Sequence, residues 1–74
     1  MLLRVAYNLG MALGKAICRL RLAKGLTQEA LARRAKVSRA YVTLLEGGYR
    51  VSPSVKVRKR LARALAVPIT KLLE

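Results

Sequence analysis

Apolar positions recur along this chain at helical spacing. Leu13, Ile17 and Leu20 fall at i, i+4 and i+7, the single buried stripe of a first helix that Gly25 ends. Thr27 is a good N-cap for a second helix over Gln28–Ala35, with Leu31, Ala32 and Ala35 inward and Glu29 in the first turn, where the helix dipole favours an acid. Ser38 caps a third helix whose inward face is Val42, Leu45 and Glu46, and Gly47 and Gly48 stop it. A loop with Ser52, Pro53 and Ser54 leads into a fourth helix carrying Leu61, Ala62 and Leu65. Its cap is either Ser52, with Pro53 at the first helical position, or Ser54. Val67 and Pro68 open a short fifth helix with Ile69, Leu72 and Leu73. The pattern predicts an all-α, compact five-helix domain without repeat, linker or low-complexity tract.

Two short helices joined by a tight turn, the second beginning with a polar cap, form a helix-turn-helix, here helices 2 and 3. Such helices approach closely only if a small residue sits at their crossing, and Ala32 meets that demand. Leu31, Ala35, Val37, Val42 and Leu45 fill the angle between them. The domain is expected over residues 13–74, with residues 1–12 as an N-terminal extension or the start of the first helix. Arg4, Asn8 and Lys15 interrupt the apolar start, so no run of about 18 apolar residues spans a bilayer. A targeting segment is the lesser alternative.

Charge changes the picture. The 74 residues carry 16 Lys and Arg against 3 acids, a formal charge of +13. That self-repulsion opposes a compact state unless a polyanion is the usual partner, so nucleic acid comes first and an anionic membrane surface second. No His, one Cys and three acids leave no metal cluster, cofactor site or acid/base pair, so the chain reads as a binding protein and not an enzyme. Cys18 cannot form an internal disulfide and suits a reducing cytosol.

The segments GLTQEALA, AKVSRAYVTLLEGG and LARALAVPITKLL, in this order, resemble the helix-turn-helix domain of the phage repressor and Cro family, also called the xenobiotic-response-element (XRE) family. The resemblance implies a lambda-repressor-like fold and a sequence-specific regulator of transcription, most simply a repressor. Such a protein reads the major groove of a double-stranded operator with helix 3. It also implies a homodimer on half-sites about one DNA turn apart, a bacterial or phage-encoded protein of the cytoplasm associated with the nucleoid.

In that docking, Arg39, Ala40, Thr43 and Leu44 are the base-contact candidates: Arg39 can bind guanine bidentately, with a phosphate contact as its alternative, Ala40, Thr43 and Leu44 can meet thymine methyls, and Thr43 also offers a hydroxyl. Gln28 matches the family's phosphate-binding position. Arg33, Arg34, Lys36, Tyr49, Arg50, Ser52 and Ser54 surround the groove as further phosphate contacts. The family also pairs the acid closing the recognition helix with an Arg on helix 1, which here are Glu46 and Arg21. Arg21 lies four residues beyond Ile17 and Glu46 four beyond Val42, so both face inward and each charge accounts for the other. The alternative for Glu46 is an exposed helix end. Lys56, Arg58, Lys59, Arg60 and Arg63 on the fourth helix form a solvated face or a second site for non-specific attraction.

This sequence departs from the family pattern at four points. Lys36 stands at the turn position usually held by Gly, Val51 or Ser52 is an extra residue before Pro53, Arg58 replaces a usual Leu, and Leu22 replaces a usual polar residue. Ile69, Leu72 and Leu73, then residues 1–12, are the candidate dimer surfaces. Two other function classes compete: a protein-interaction or coactivator module on the same fold, and a non-specific cationic RNA- or membrane-binding protein.

Overall fold

The computed structural model describes the backbone of residues 2–49 and 52–72 and the side chains of residues 12–49 and 52–72. Four α-helices follow one another: α1 over Leu2–Ala23, α2 over Gln28–Ala35, α3 over Arg39–Glu46 and α4 over Val55–Leu65. The expected fifth helix is instead a single 3-10 turn over Ile69–Leu72. Pro68 supplies no N–H and the turn closes after four residues, so there is no room for an α-helical ladder to propagate. The first helix begins at Leu2, and the residues ahead of Leu13 continue it without a break.

The caps follow from local chemistry. Thr27 Oγ1 accepts from the Ala30 N–H at 3.0 Å and Ser38 Oγ from the Tyr41 N–H at 3.0 Å. For α4 the cap is Ser54, whose Oγ accepts from the Val57 N–H at 3.2 Å, while Pro53 is buried ahead of the helix.

All four helices end by one device. A residue in the left-handed region lets the next N–H reach back to a carbonyl five residues earlier: Leu26 to Arg21 at 3.0 Å, Val37 to Ala32 at 2.9 Å, Tyr49 to Leu44 at 3.2 Å and Val67 to Ala62 at 3.0 Å. The left-handed residues are Gly25 at φ 70°, Lys36 at φ 60°, Gly48 at φ 79° and Ala66 at φ 58°. Lys36 and Ala66 are not glycines. A side chain there costs roughly 1–2 kcal/mol, partly offset by the ~0.5–1 kcal/mol entropy cost of ordering glycine. Lys36→Gly and Ala66→Gly should therefore each stabilise the domain by up to about 1 kcal/mol, some 4–8 °C for a chain of this size, read by thermal unfolding. A lower melting temperature for either would place its turn in another conformation.

The inward stripes meet in one core: Leu13 and Ile17 of α1, Leu31, Ala32 and Ala35 of α2, Val42 and Leu45 of α3, Leu61, Ala62 and Leu65 of α4, and Leu72 of the 3-10 turn. Leu72 is fully buried, so it fills this core and offers nothing to a second subunit. Ile69 is half-buried against the same core, and Leu73 lies outside the described residues. Arg58 also leaves the basic face proposed for α4. Its guanidinium turns to the domain end, where Nη1 donates to the Leu72 carbonyl at 2.6 Å and Nε to the Pro53 carbonyl at 3.3 Å. This Arg binds the open carbonyls at both ends of α4's surroundings, a polar tie where a Leu would have served packing alone.

Candidate nucleic-acid interface

The helix α3 is held from behind and bare in front. Val42 and Leu45 are buried, whereas Arg39, Ala40, Thr43 and Leu44 are all exposed, Leu44 at 45%. An eight-residue helix is about 12 Å long, which matches the ~12 Å width of the major groove. Beside it, Arg21, Thr27, Gln28, Glu29 and Arg39 line an open groove of about 360 Å³ at the N-terminus of α2.

Helix α1 fixes the back of α3 through two contacts. The first is polar. Arg21 Nε donates to Glu46 Oε2 at 2.6 Å and Nη2 to Oε1 at 3.1 Å, a side-on pair whose side chains are 11% and 6% exposed. Arg21 Nη1 donates to the Leu26 carbonyl at 2.7 Å, so one guanidinium joins α1, the turn into α2 and the end of α3. Its bond to Glu46 raises the pKa of Arg21 against the effect of burial. Burial by itself would push the Glu46 carboxyl up, but the hydrogen bonds from Arg21 and Gln28 and the charge of Arg21 together hold it below the ordinary value. Glu46 is therefore an acceptor at neutral pH.

The second contact is steric and was not foreseen from the sequence. A Cβ on Gly14 would stand 2.3 Å from the Leu45 carbonyl oxygen and 3.1 Å from that of Glu46. The backbones of α1 and α3 thus touch at Gly14, a glycine in mid-helix that propensity alone disfavours by about 1 kcal/mol. The available signal was its position beside Leu13 and one turn before Ile17, on the inward stripe.

A hydrogen-bonded chain leads from the ion pair to the exposed face. Gln28 Nε2 donates to Glu46 Oε1 at 2.9 Å, and Thr43 Oγ1 donates to Gln28 Oε1 at 3.0 Å, with the Arg39 carbonyl 3.1 Å from the same hydroxyl. Gln28 is thus anchored inside the protein at one end and lies at the groove with the other. Among the remaining phosphate candidates, Arg33, Arg34, Lys36, Tyr49, Ser52 and Ser54 are exposed, and Arg50 lies outside the described residues. Arg33 meets Glu29 at 3.7 Å one turn away, a solvent-exposed pair that leaves it accessible. Glu29 and Glu46, the two described acids, both face cations of their own, so neither neutralises Arg39 or Arg34. Cys18 is a free thiol 3.8 Å from Arg21 Nη2, and no group of three or more metal-ligating side chains gathers among the described residues.

Two short helices packed on one core with Ala32 buried, the second presenting an uncovered face beside an open groove, define a helix-turn-helix nucleic-acid-binding domain. The chain belongs to the XRE-type Helix-turn-helix family, which matches residues 19–72. It is 44% identical over 54 residues to the HTH-type transcriptional regulator YqaF of Bacillus subtilis strain 168, covering 73% of this chain and 70% of that one. Its fold superimposes with a TM-score of 0.79 on the restriction-modification controller protein C.AhdI of Aeromonas hydrophila, at 36% identity over 85% of this chain and 94% of that one. The clp gene regulator ClgR of Corynebacterium glutamicum gives a TM-score of 0.80 at 34% identity, covering 88% of this chain and 68% of that one. These relatives are regulators and controllers, not enzymes by name. The chain is a DNA-binding transcriptional regulator.

Proposed function

We propose that the domain represses transcription by laying α3 in the major groove of a specific operator, with Arg39, Ala40, Thr43 and Leu44 at base edges. The observation that carries this reading is the bare outer face of α3, four exposed residues on a helix whose other face is locked into the core and to α1. Gln28, Arg33, Arg34, Lys36, Tyr49, Ser52 and Ser54, with Arg50, serve as the phosphate-binding rim. A charge of +13 supplies attraction to any duplex, and affinity should fall steeply with salt. A homodimer on half-sites about 34 Å apart, in the bacterial cytoplasm at the nucleoid, completes the reading.

Competition binding against operator and random duplexes tests it, with the operator selected from a random-sequence pool. Arg39→Ala should weaken operator binding more than random binding, by ~1–3 kcal/mol of discrimination, because a bidentate guanine contact reads sequence. Gln28→Ala should weaken both duplexes, since phosphate contacts position without reading. Equal losses for Arg39→Ala on the two duplexes would reassign Arg39 to phosphate.

A second reading rests on Leu44 and Leu22, exposed at 45% and 61%. Two uncovered leucines suit a protein partner, as in a coactivator module on this fold. Selection that enriches no sequence would favour it. Among the described residues no helix is long and apolar enough to cross a membrane.

A further inference from the structure

The hydroxyl of Thr43 has a defined direction, set by a charge at the end of the same helix and relayed through Gln28. Glu46 is ionised and therefore only accepts, which obliges the Gln28 amide to turn its Nε2 toward it, 2.9 Å away. That leaves Gln28 Oε1 facing Thr43 Oγ1 at 3.0 Å. The other polar neighbour of the hydroxyl is the Arg39 carbonyl at 3.1 Å, also an acceptor. A hydroxyl has one proton, and both of its protein neighbours call for it. The proton points into the protein whichever of them takes it, and only lone pairs remain for the groove.

We infer that Thr43 is a specificity-determining residue that reads its base as a hydrogen-bond acceptor, from the exocyclic amino group of adenine or cytosine. This rests on α3 being the groove-reading helix. In the major groove the hydrogen-bond donors are adenine N6 and cytosine N4, whereas guanine N7 and O6 and thymine O4 accept. A threonine free to rotate its hydroxyl would suit either kind. Here the Glu46–Gln28 relay removes the donor option, so a keto edge opposite Thr43 would meet lone pairs with lone pairs. Arg21 belongs to the same device as a positioning residue, because it holds the Glu46 carboxylate against which Gln28 is oriented.

The test uses the full chain and a duplex it selects from a random pool, with Thr43→Val, which keeps the shape and loses the hydroxyl, and Thr43→Ser, which keeps the hydroxyl. Selection should place adenine or cytosine at one position whose preference Thr43→Val lowers about threefold to tenfold and Thr43→Ser retains, the range of a single net hydrogen bond. Replacing that base by its analogue without the amino group should weaken the parent and the Ser variant by a similar factor and leave the Val variant unmoved. A Thr43-dependent preference for guanine or thymine oxygen edges would overturn the inference. So would an unchanged selected sequence for Thr43→Val, while a loss of specificity by Arg39→Ala in the same experiment would leave the α3 reading standing. If the parent chain enriches no sequence, that reading fails first and this one falls with it.

Discussion

Arg21→Met is expected to destabilise the domain by about 3–5 kcal/mol, the cost of leaving Glu46 buried without its cation. Both side chains are close to fully covered, and Arg21 satisfies Glu46 and the Leu26 carbonyl together, so water cannot readily replace it. A domain of this size holds only roughly 4–11 kcal/mol in total, and the variant should therefore melt far below the parent. Glu46→Gln should cost less, because an amide oxygen still accepts from Arg21. The double variant should recover part of the combined loss, a coupling of about 0.5–3 kcal/mol. Additive losses in urea unfolding would mean that the two side chains do not depend on one another.

The same pair sets an acid limit. The folded pKa of Glu46 is lower than its ordinary 4.5, so its contribution to stability is complete above that value and fades as pH falls through the folded pKa. The parent should lose stability on acidification below about pH 4.5, and Glu46→Gln should lose much of that slope. An unchanged acid limb in the Gln variant would assign the slope to other carboxyls. The upward shift of Arg21 works in the opposite direction, fully present below its unfolded pKa and lost only at extreme alkalinity.

Gly14→Ala should destabilise by about 1–3 kcal/mol even though alanine is the better helix former. The added methyl would meet a backbone carbonyl at 2.3 Å, and a backbone cannot swing aside as the end of a side chain can. Helices α1 and α3 must part, which loosens the packing of Leu45 and tilts the reading face. Operator affinity should therefore fall together with the melting temperature. Lys15→Ala, at the exposed neighbouring position, serves as the control and should be close to neutral. If Gly14→Ala proves more stable than the parent, the two backbones are not in contact.

Much of the fold is legible in the sequence, and the reasons are local. Thr27 and Ser38 precede helices because their oxygens satisfy amides three residues on, and Gly25 ends one because it accepts a left-handed φ. The outward and inward faces of α3 follow from a 3.6-residue period, which separates Thr43 and Leu44 from Val42 and Leu45 in any packing. The inward direction of Arg21 and Glu46 comes from the same count. Ala66, in contrast, closes α4 in the left-handed region without any residue that announces it.

By itself, then, the sequence determined the four α-helices though not the 3-10 form of the expected fifth, their buried stripes, the strong positive charge and the family to which the chain belongs, since each depends on residues close together or on a motif read in order. Only the tertiary structure decided which faces meet. Gly14 reveals its purpose when the end of α3 lies against it, and Leu72 and Arg58 turn inward because the 3-10 turn folds back over α4. The orientation of Gln28 likewise required Glu46, 18 residues away, and Thr43, 15 residues away, to converge on one amide. Periodicity tells a side chain which way to point from its own axis, but hydrogen bonds and close contacts across that distance depend on where the other helices cross, and those crossings are settled by the packing of the whole core.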